Sequence, residues 1–276
     1  MIDPIGDQSH SPAPQLIHRY KNRVLFTPTT KCPVQCRYCF RKNELHESVD
    51  LFKAQFQQTL DYIGDHPEIH EIIFTGGDPF ILNDSKISDY LNAFVQISHI
   101  KVIRFHTRFG AILPHRFTPS LIQMLGTFNQ KFQKILIAFH LNHIDEMTSD
   151  FKKICSQLRQ ENVELLSQTV LLKGVNDSSD TLKDLFQKLD EFKIRPYYLH
   201  HPDLAKGAMH FYLGLEKGRQ IYLELRKKLS GWNIPQYMID VPQGYGKVWA
   251  FDPQFNPEKE LIKGADNQNH WYPNLQ

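Results

Sequence analysis

The chain is sparing in the features that reveal a protein's purpose by composition alone. It has only 4 cysteines in 276 residues, too few for the disulfide framework of a small secreted domain. Its 32 Lys and Arg against 30 Asp and Glu leave a formal net charge of +2, no surplus with which to neutralise a phosphate backbone, so nucleic acid is not expected as a partner. No apolar run approaches the roughly 18 residues of a membrane span. The opening stretch, MIDPIGDQSHSPAPQ, lacks the basic-then-apolar order of a secretion signal. No membrane contact and a cytoplasmic location are expected. Internal repeats and low-complexity tracts are missing too. What remains is ordinary folded-protein composition, 41% hydrophobic, 12% aromatic and 22% charged, with 14 His that make the charge sensitive to mild acid.

Residues 1–18, rich in Pro, Ser and His, read as an N-terminal arm. Over 19–232 a rhythm follows. β-prone runs fall at Arg23–Pro28, His70–Thr75, Lys101–His106, Lys134–Phe139, Val163–Val170 and Arg195–His200. Helical periodicity separates them, as at Leu51–His66, Asp145–Gln160 and Asp180–Phe192, with a last helix near Leu215–Ser230. Such alternation means parallel βαβ units with right-handed crossovers. Periodicity alone allows either a doubly wound sheet or a barrel. Chemically specific residues follow every run, however, and a barrel gathers strand ends at one mouth. The expected fold is therefore α/β, a partial (β/α)6 barrel with an N-terminal arm and a C-terminal segment, 233–276.

The most specific signal is Cys32-x3-Cys36-x2-Cys39, directly after the first run. Three thiolates can hold three irons of a cubane cluster and leave the fourth iron open to another ligand. A zinc knot completed by a histidine such as His46, or cysteines that are merely incidental, are the plainer alternatives. Cys155, alone in a helical stretch, reads as a small buried apolar residue. Gly76-Gly77-Asp78-Pro79 follows the second run.

CPVQCRYCF (Cys32–Phe40) followed by GGDP resembles the radical S-adenosylmethionine superfamily. HRYKNRVLF (His18–Phe26), FTGGDPFIL, AFHLNH, LSQTVLLKGVND, YYLHHPDLAKGAMHF and IDVPQGYGK (Ile239–Lys247) are similar in order and spacing to lysine 2,3-aminomutases, from about Ser11 to Lys247. The resemblance implies a [4Fe-4S] cluster on Cys32, Cys36 and Cys39, S-adenosyl-L-methionine and pyridoxal 5′-phosphate. It places the Schiff-base lysine at Lys247. Arg19, Tyr20 and Arg108 fall to pyridoxal phosphate, with Arg108 expected to supply charge for the phosphate. Gly76, Gly77, Asp78, His140 and Gln168 fall to S-adenosylmethionine. Arg41 matches the partner of the substrate carboxylate, and Asp203 and Asp240 match the two carboxylates that grip the distal ammonium of L-lysine.

The implied activity is a 2,3-amino shift between L-lysine and β-lysine, making the protein an isomerase, fed by a one-electron donor such as flavodoxin or ferredoxin. Other readings are the same chemistry on another cationic amino acid such as arginine, β-lysine supply for elongation factor P, or a non-catalytic iron-sulfur redox sensor. His200 stands where the free-lysine branch keeps a tyrosine, as in the elongation factor P branch, whereas IDVP with Asp240 is closer to the free-lysine branch. The chain starts close to the barrel, from which altered contacts in a homo-oligomer or a more open mouth are expected. No cysteine follows Cys155, so the C-terminal zinc site of longer members is not expected here.

Overall fold

In the computed structural model, which describes residues 1–42, 53–251 and 260–273, the strand-prone runs pair edge to edge in chain order. The sheet runs β1 (Leu16–Tyr20), β2 (Arg23–Thr29), β3 (Glu71–Gly76), β4 (Val102–Thr107), β5 (Lys134–His140), β6 (Glu164–Val170), β7 (Arg195–His200), β8 (Gln236–Asp240) and β9 (Lys247–Trp249). β2 to β7 are the six expected runs, each within a residue of the boundary read from sequence. They are parallel throughout, and β8 extends the parallel run by one strand. β1 and β9 close the two edges antiparallel. The ends of β3 to β8 line one cavity, through Thr75, Thr107, His140, Gln168, His200 and Asp240, so the sheet curls into an open partial barrel. A separate hairpin joins β10 (Leu261–Lys263) to β11 (Asn269–Trp271).

The helices are α1 (Lys53–Gly64), α2 (Asp84–Val95), a single turn α3 (Phe109–Ile112), α4 (Pro119–Asn129), α5 (Ser149–Gln160), α6 (Ser179–Glu191) and α7 (Leu215–Lys228). Their starts are set by side-chain caps. Asn83, Thr118, Thr148 and Ser178 each accept the N–H three residues on, at 2.8, 3.2, 3.2 and 3.1 Å. The Thr148 cap makes α5 begin four residues later than the periodicity suggests, because Ile144–Glu146 forms its own 3-10 turn. Leu51 and Phe52 of the expected first helix, and His46, lie outside the described residues. α5 buries Phe151, Ile154, Cys155 and Leu158, a single face at helical spacing, and Cys155 is a packed apolar residue as expected. Among the described residues no helix is long and apolar enough to cross a membrane.

Phenylalanine dominates the packing beneath the cysteine loop. Phe74 of β3 stacks on Phe105 of β4 at 4.5 Å between ring centroids and meets Phe26 of β2 edge to face at 5.3 Å, and all three are wholly buried. Truncating Phe74 leaves a void that close-packed strands cannot fill. Phe74→Ala is expected to cost about 3–5 kcal/mol, read as a lowered midpoint with unchanged slope in urea unfolding.

Candidate active site in the barrel mouth

The cysteine loop leaves β2 and is pressed onto the loop after β3. Gly77 N–H donates to Thr29 O at 2.8 Å and Asp78 N–H to Lys31 O at 2.9 Å. A Cβ on Gly77 would lie 2.2 Å from Lys31 O, and Gly76, at φ +95°, would meet Thr27 and Thr29 O. Both glycines are needed for this approach of backbones. Asp78 then ties in the third loop, accepting from Phe80 N–H, from the Thr107 hydroxyl at 2.7 Å and from Arg108 N–H at 2.7 Å. Burial lifts its carboxyl to about 6, against those hydrogen bonds. Its side chain is thus engaged in holding the loops, while the Gly76–Gly77 backbone faces the cavity.

Cys32, Cys36 and Cys39 are free thiols lining this cavity of about 270 Å³. Burial pushes the thiols of Cys32 and Cys39 up to about 12 and about 11, and ionisation of the neighbouring cysteines would push them further. A bound cation reverses both effects. Among the described residues no group of three His, Cys, Asp or Glu is placed to hold a single metal ion. A cubane, which takes one thiolate per iron, fits this set better than a zinc knot. Tyr38, inside the motif, stacks on His140 of β5 at 5.5 Å. Burial lowers the His140 imidazole to about 3, so the ring is neutral, and its buried Nε2 has no protein partner. Gln168 lies 3.3 Å from His106 Nδ1, and His106 likewise has a buried, unpartnered Nε2. These orphaned atoms suit a polar ligand between the strands and the cysteine loop.

At the far edge, the β8–β9 hairpin sets Asp240 directly opposite Lys247, so their spacing of seven in sequence is a cross-strand pair. Lys247 Nζ donates to Asp240 Oδ1 at 2.5 Å. Burial alone would raise the Asp240 carboxyl, but the Lys247 ammonium holds it below the usual range; Asp240 in turn raises Lys247 against its own burial. His200, whose imidazole burial pushes down against the pull of Asp240, stands 3.5 Å from Asp240 Oδ2. Asp203 shares the cavity, and burial together with the Asp240 charge pushes its carboxyl up to about 8. Tyr20 accepts Lys247 N–H at 2.7 Å through its hydroxyl and carries the Arg23 guanidinium over its ring at 4.0 Å. Gly246, at φ +88°, lets the turn pass Ala265, against which a Cβ would lie at 2.7 Å.

All fifteen residues singled out in the sequence line this one cavity. Arg108 lies on the cysteine side of this lining. Its guanidinium donates to Cys36 Sγ at 3.0 Å, pairs with Glu146 and lies over the Tyr38 ring, so it serves the cysteine loop. Arg19, Arg23 and Arg104 line the same cavity, the last paired with Glu71 at 3.0 Å. Arg23 and Arg104 escaped the sequence reading, although both sit on strands at inward positions. Arg41 lies in the mouth as expected, with its guanidinium 2.6 Å from Asp7.

The barrel, with three thiols at the start of its mouth, has the fold of radical S-adenosylmethionine enzymes. A crystal structure of a radical SAM methyltransferase from Sphaerobacter thermophilus superposes with a TM-score of 0.55 at 16% identity, covering 81% of this chain and 68% of that one. Residues 22–109 match the family described as a 4Fe-4S single cluster domain. More closely, the chain is 37% identical over 249 residues to the L-lysine 2,3-aminomutase of Methanococcus maripaludis and 38% identical over 239 residues to that of Escherichia coli. These alignments cover 90% and 87% of this chain, but 57% and 69% of the relatives. The chain belongs to the lysine 2,3-aminomutase family, and spans little more than half the length of the first of these relatives.

The raised Asp203 carboxyl has a signature in stability. From about pH 4 the unfolded chain releases a proton that the folded protein keeps up to about pH 8, so in this window Asp203 makes the protein less stable as pH rises. Asp203→Asn removes that loss. The variant is expected to gain on the parent by on the order of 1 kcal/mol or more between pH 5 and pH 8, in urea unfolding of ligand-free protein. An equal difference at both values counts against a neutral Asp203.

Proposed function

We propose that the protein interconverts L-lysine and β-lysine by moving the amino group between C2 and C3, using a [4Fe-4S] cluster, S-adenosylmethionine and pyridoxal phosphate. The observation that carries this reading is one cavity lined by three thiols and by an amine paired with one carboxylate near a second carboxylate. Cys32, Cys36 and Cys39 would hold the cluster, and the Gly76–Gly77 backbone, His140 and Gln168 would face S-adenosylmethionine. Lys247 would hold pyridoxal phosphate, with Tyr20 fixing its backbone and Arg19 and Arg23 meeting the phosphate. When bound, these groups supply an electron for cleaving S-adenosylmethionine, a radical that takes hydrogen from C3, and a carrier for the migrating nitrogen.

The residues account for substrate choice. In the ligand-free site the Lys247 ammonium occupies Asp240. With Lys247 holding the cofactor, its ammonium would no longer be reserved for Asp240, and a buried Asp240 left without a cation is costly. The distal ammonium of lysine restores the pair. Its arrival also stabilises Asp203 as an anion, so that the second carboxylate yields its proton and completes the clamp. Arg41, in the same cavity, would receive the α-carboxylate. A neutral or acidic side chain would leave both aspartates unanswered, which excludes such substrates by charge.

The test is anaerobic: protein reconstituted with iron and sulfide, then pyridoxal phosphate, S-adenosylmethionine, a strong reductant and L-lysine, with products followed by mass spectrometry. β-Lysine in excess over S-adenosylmethionine consumed is expected. Lys247→Ala should lose turnover entirely while keeping its iron, and Asp240→Asn should raise the lysine KM on the order of tenfold or more and lower kcat. Cleavage to 5′-deoxyadenosine with no β-lysine, or preferential formation of β-arginine from L-arginine, overturns the substrate assignment.

A further inference from the structure

Asp7, in the N-terminal arm, is 3% exposed and sits between two arginines that both line the cavity. Its Oδ1 is 3.0 Å from Arg19 Nη2 and its Oδ2 is 2.6 Å from Arg41 Nη2. Arg19 also donates to Ile5 O, in the same arm. One guanidinium stands on β1 and the other follows the cysteine loop, so a single carboxylate joins two separate elements.

The arm that carries Asp7 is built into the fold. Asp3 accepts from Asp7 N–H at 3.1 Å and Gln8 N–H at 3.0 Å, which fixes the turn around the carboxylate. Gln243 N–H donates to Pro4 O, and Lys206 N–H to Met1 O at 2.8 Å. Gly6, at φ +66°, passes so close to the Gln243–Gly244 backbone that a Cβ there would lie 2.4 Å from it. On the other side, a Cβ on Gly244 would strike the His10 ring at 2.6 Å. Arm and turn therefore interlock, and that turn leads directly into Lys247.

From this geometry we infer that Asp7 is a positioning residue, which orients Arg19 toward the cofactor phosphate and Arg41 toward the substrate carboxylate while tying both to the turn that presents Lys247. The inference rests on the lysine aminomutase reading for the identity of the two anions. A carboxylate behind a guanidinium restricts its rotation and leaves its other N–H groups aimed at a second planar anion. Against this stands a purely electrostatic role, in which a nearby anion weakens the binding of other anions. The two roles predict opposite signs when the charge is removed.

Asp7→Asn keeps the shape and removes the negative charge, and Asp7→Glu keeps the charge. Binding of pyridoxal phosphate is titrated by absorbance on the reconstituted protein, and L-lysine kinetics are measured on the loaded enzyme. Iron content and the urea midpoint report on fold. Positioning predicts that Asp7→Asn weakens pyridoxal phosphate and raises the lysine KM, each on the order of tenfold, with kcat changed less, iron content retained and partial recovery in Asp7→Glu. Unchanged or tighter binding in Asp7→Asn overturns it, as does weakened binding that merely follows lost iron or a lowered midpoint. If parent protein binds pyridoxal phosphate but makes no β-lysine, the aminomutase reading fails while the cofactor titration still decides the part played by Asp7. If the parent binds no pyridoxal phosphate, both fall together.

Discussion

A cavity lined by several cationic side chains folds only if its charges are answered, and that requirement organises the mouth of this barrel. Each anion comes from a different element. Glu71 on β3 meets Arg104, Glu146 in the turn after β5 meets Arg108, Asp240 on β8 meets Lys247, and Asp7 in the arm meets Arg19 and Arg41. The arm, the turn and the hairpin look peripheral in a diagram of the sheet, yet each brings a counter-charge to the centre. Glu146 shows how tightly this is bound up with local structure, since its carboxylate also accepts Asn142 and His143 N–H at 2.7 and 3.0 Å, and so shapes the turn from which it acts.

The two ends of the cavity are held by different means. At the cysteine end, backbone approach dominates: the glycines after β3 let two loops touch, and Asp78 spends its acceptors on keeping a third in line. At the lysine end, side-chain charge dominates, through a carboxylate directly across the ladder from an amine. Backbone contacts fix the first set of loops, whereas the ion pair across the ladder is a contact between side chains that can change without moving the strands.

Much of the fold was legible because its signals are local. β-branched and aromatic runs between helical stretches placed six strands within a residue, since a strand covered on both faces is apolar along its whole length. The cysteine spacing was legible for the same reason, whereas Lys247 stood out only through the family resemblance. Asp7, Glu71 and Glu146 were not, because a lone acidic residue resembles any surface carboxylate until a chain crossing brings it to an arginine. The contacts of Arg108 were hidden for a related reason: a guanidinium after a strand suits any anion, and only the folded loop shows it turned toward Cys36 and Glu146. The seventh parallel strand was read as part of a tail, being short and set among turn residues.

The opposed placement of Asp240 and Lys247 makes the loop between them a ruler. Side chains on a strand alternate between faces, so a change of one residue in the Val241–Gly246 connection would send one partner to the outer face of the sheet, whatever the length of its side chain. A change of two would preserve the face but move the amine along the barrel wall. The Gly6 and His10 contacts on that same turn tighten the tolerance further, since an altered loop would have to find new room against the arm. In this family fold, insertions can therefore accumulate on the helical side of the barrel far more freely than in this short hairpin, where chain length is itself a chemical parameter.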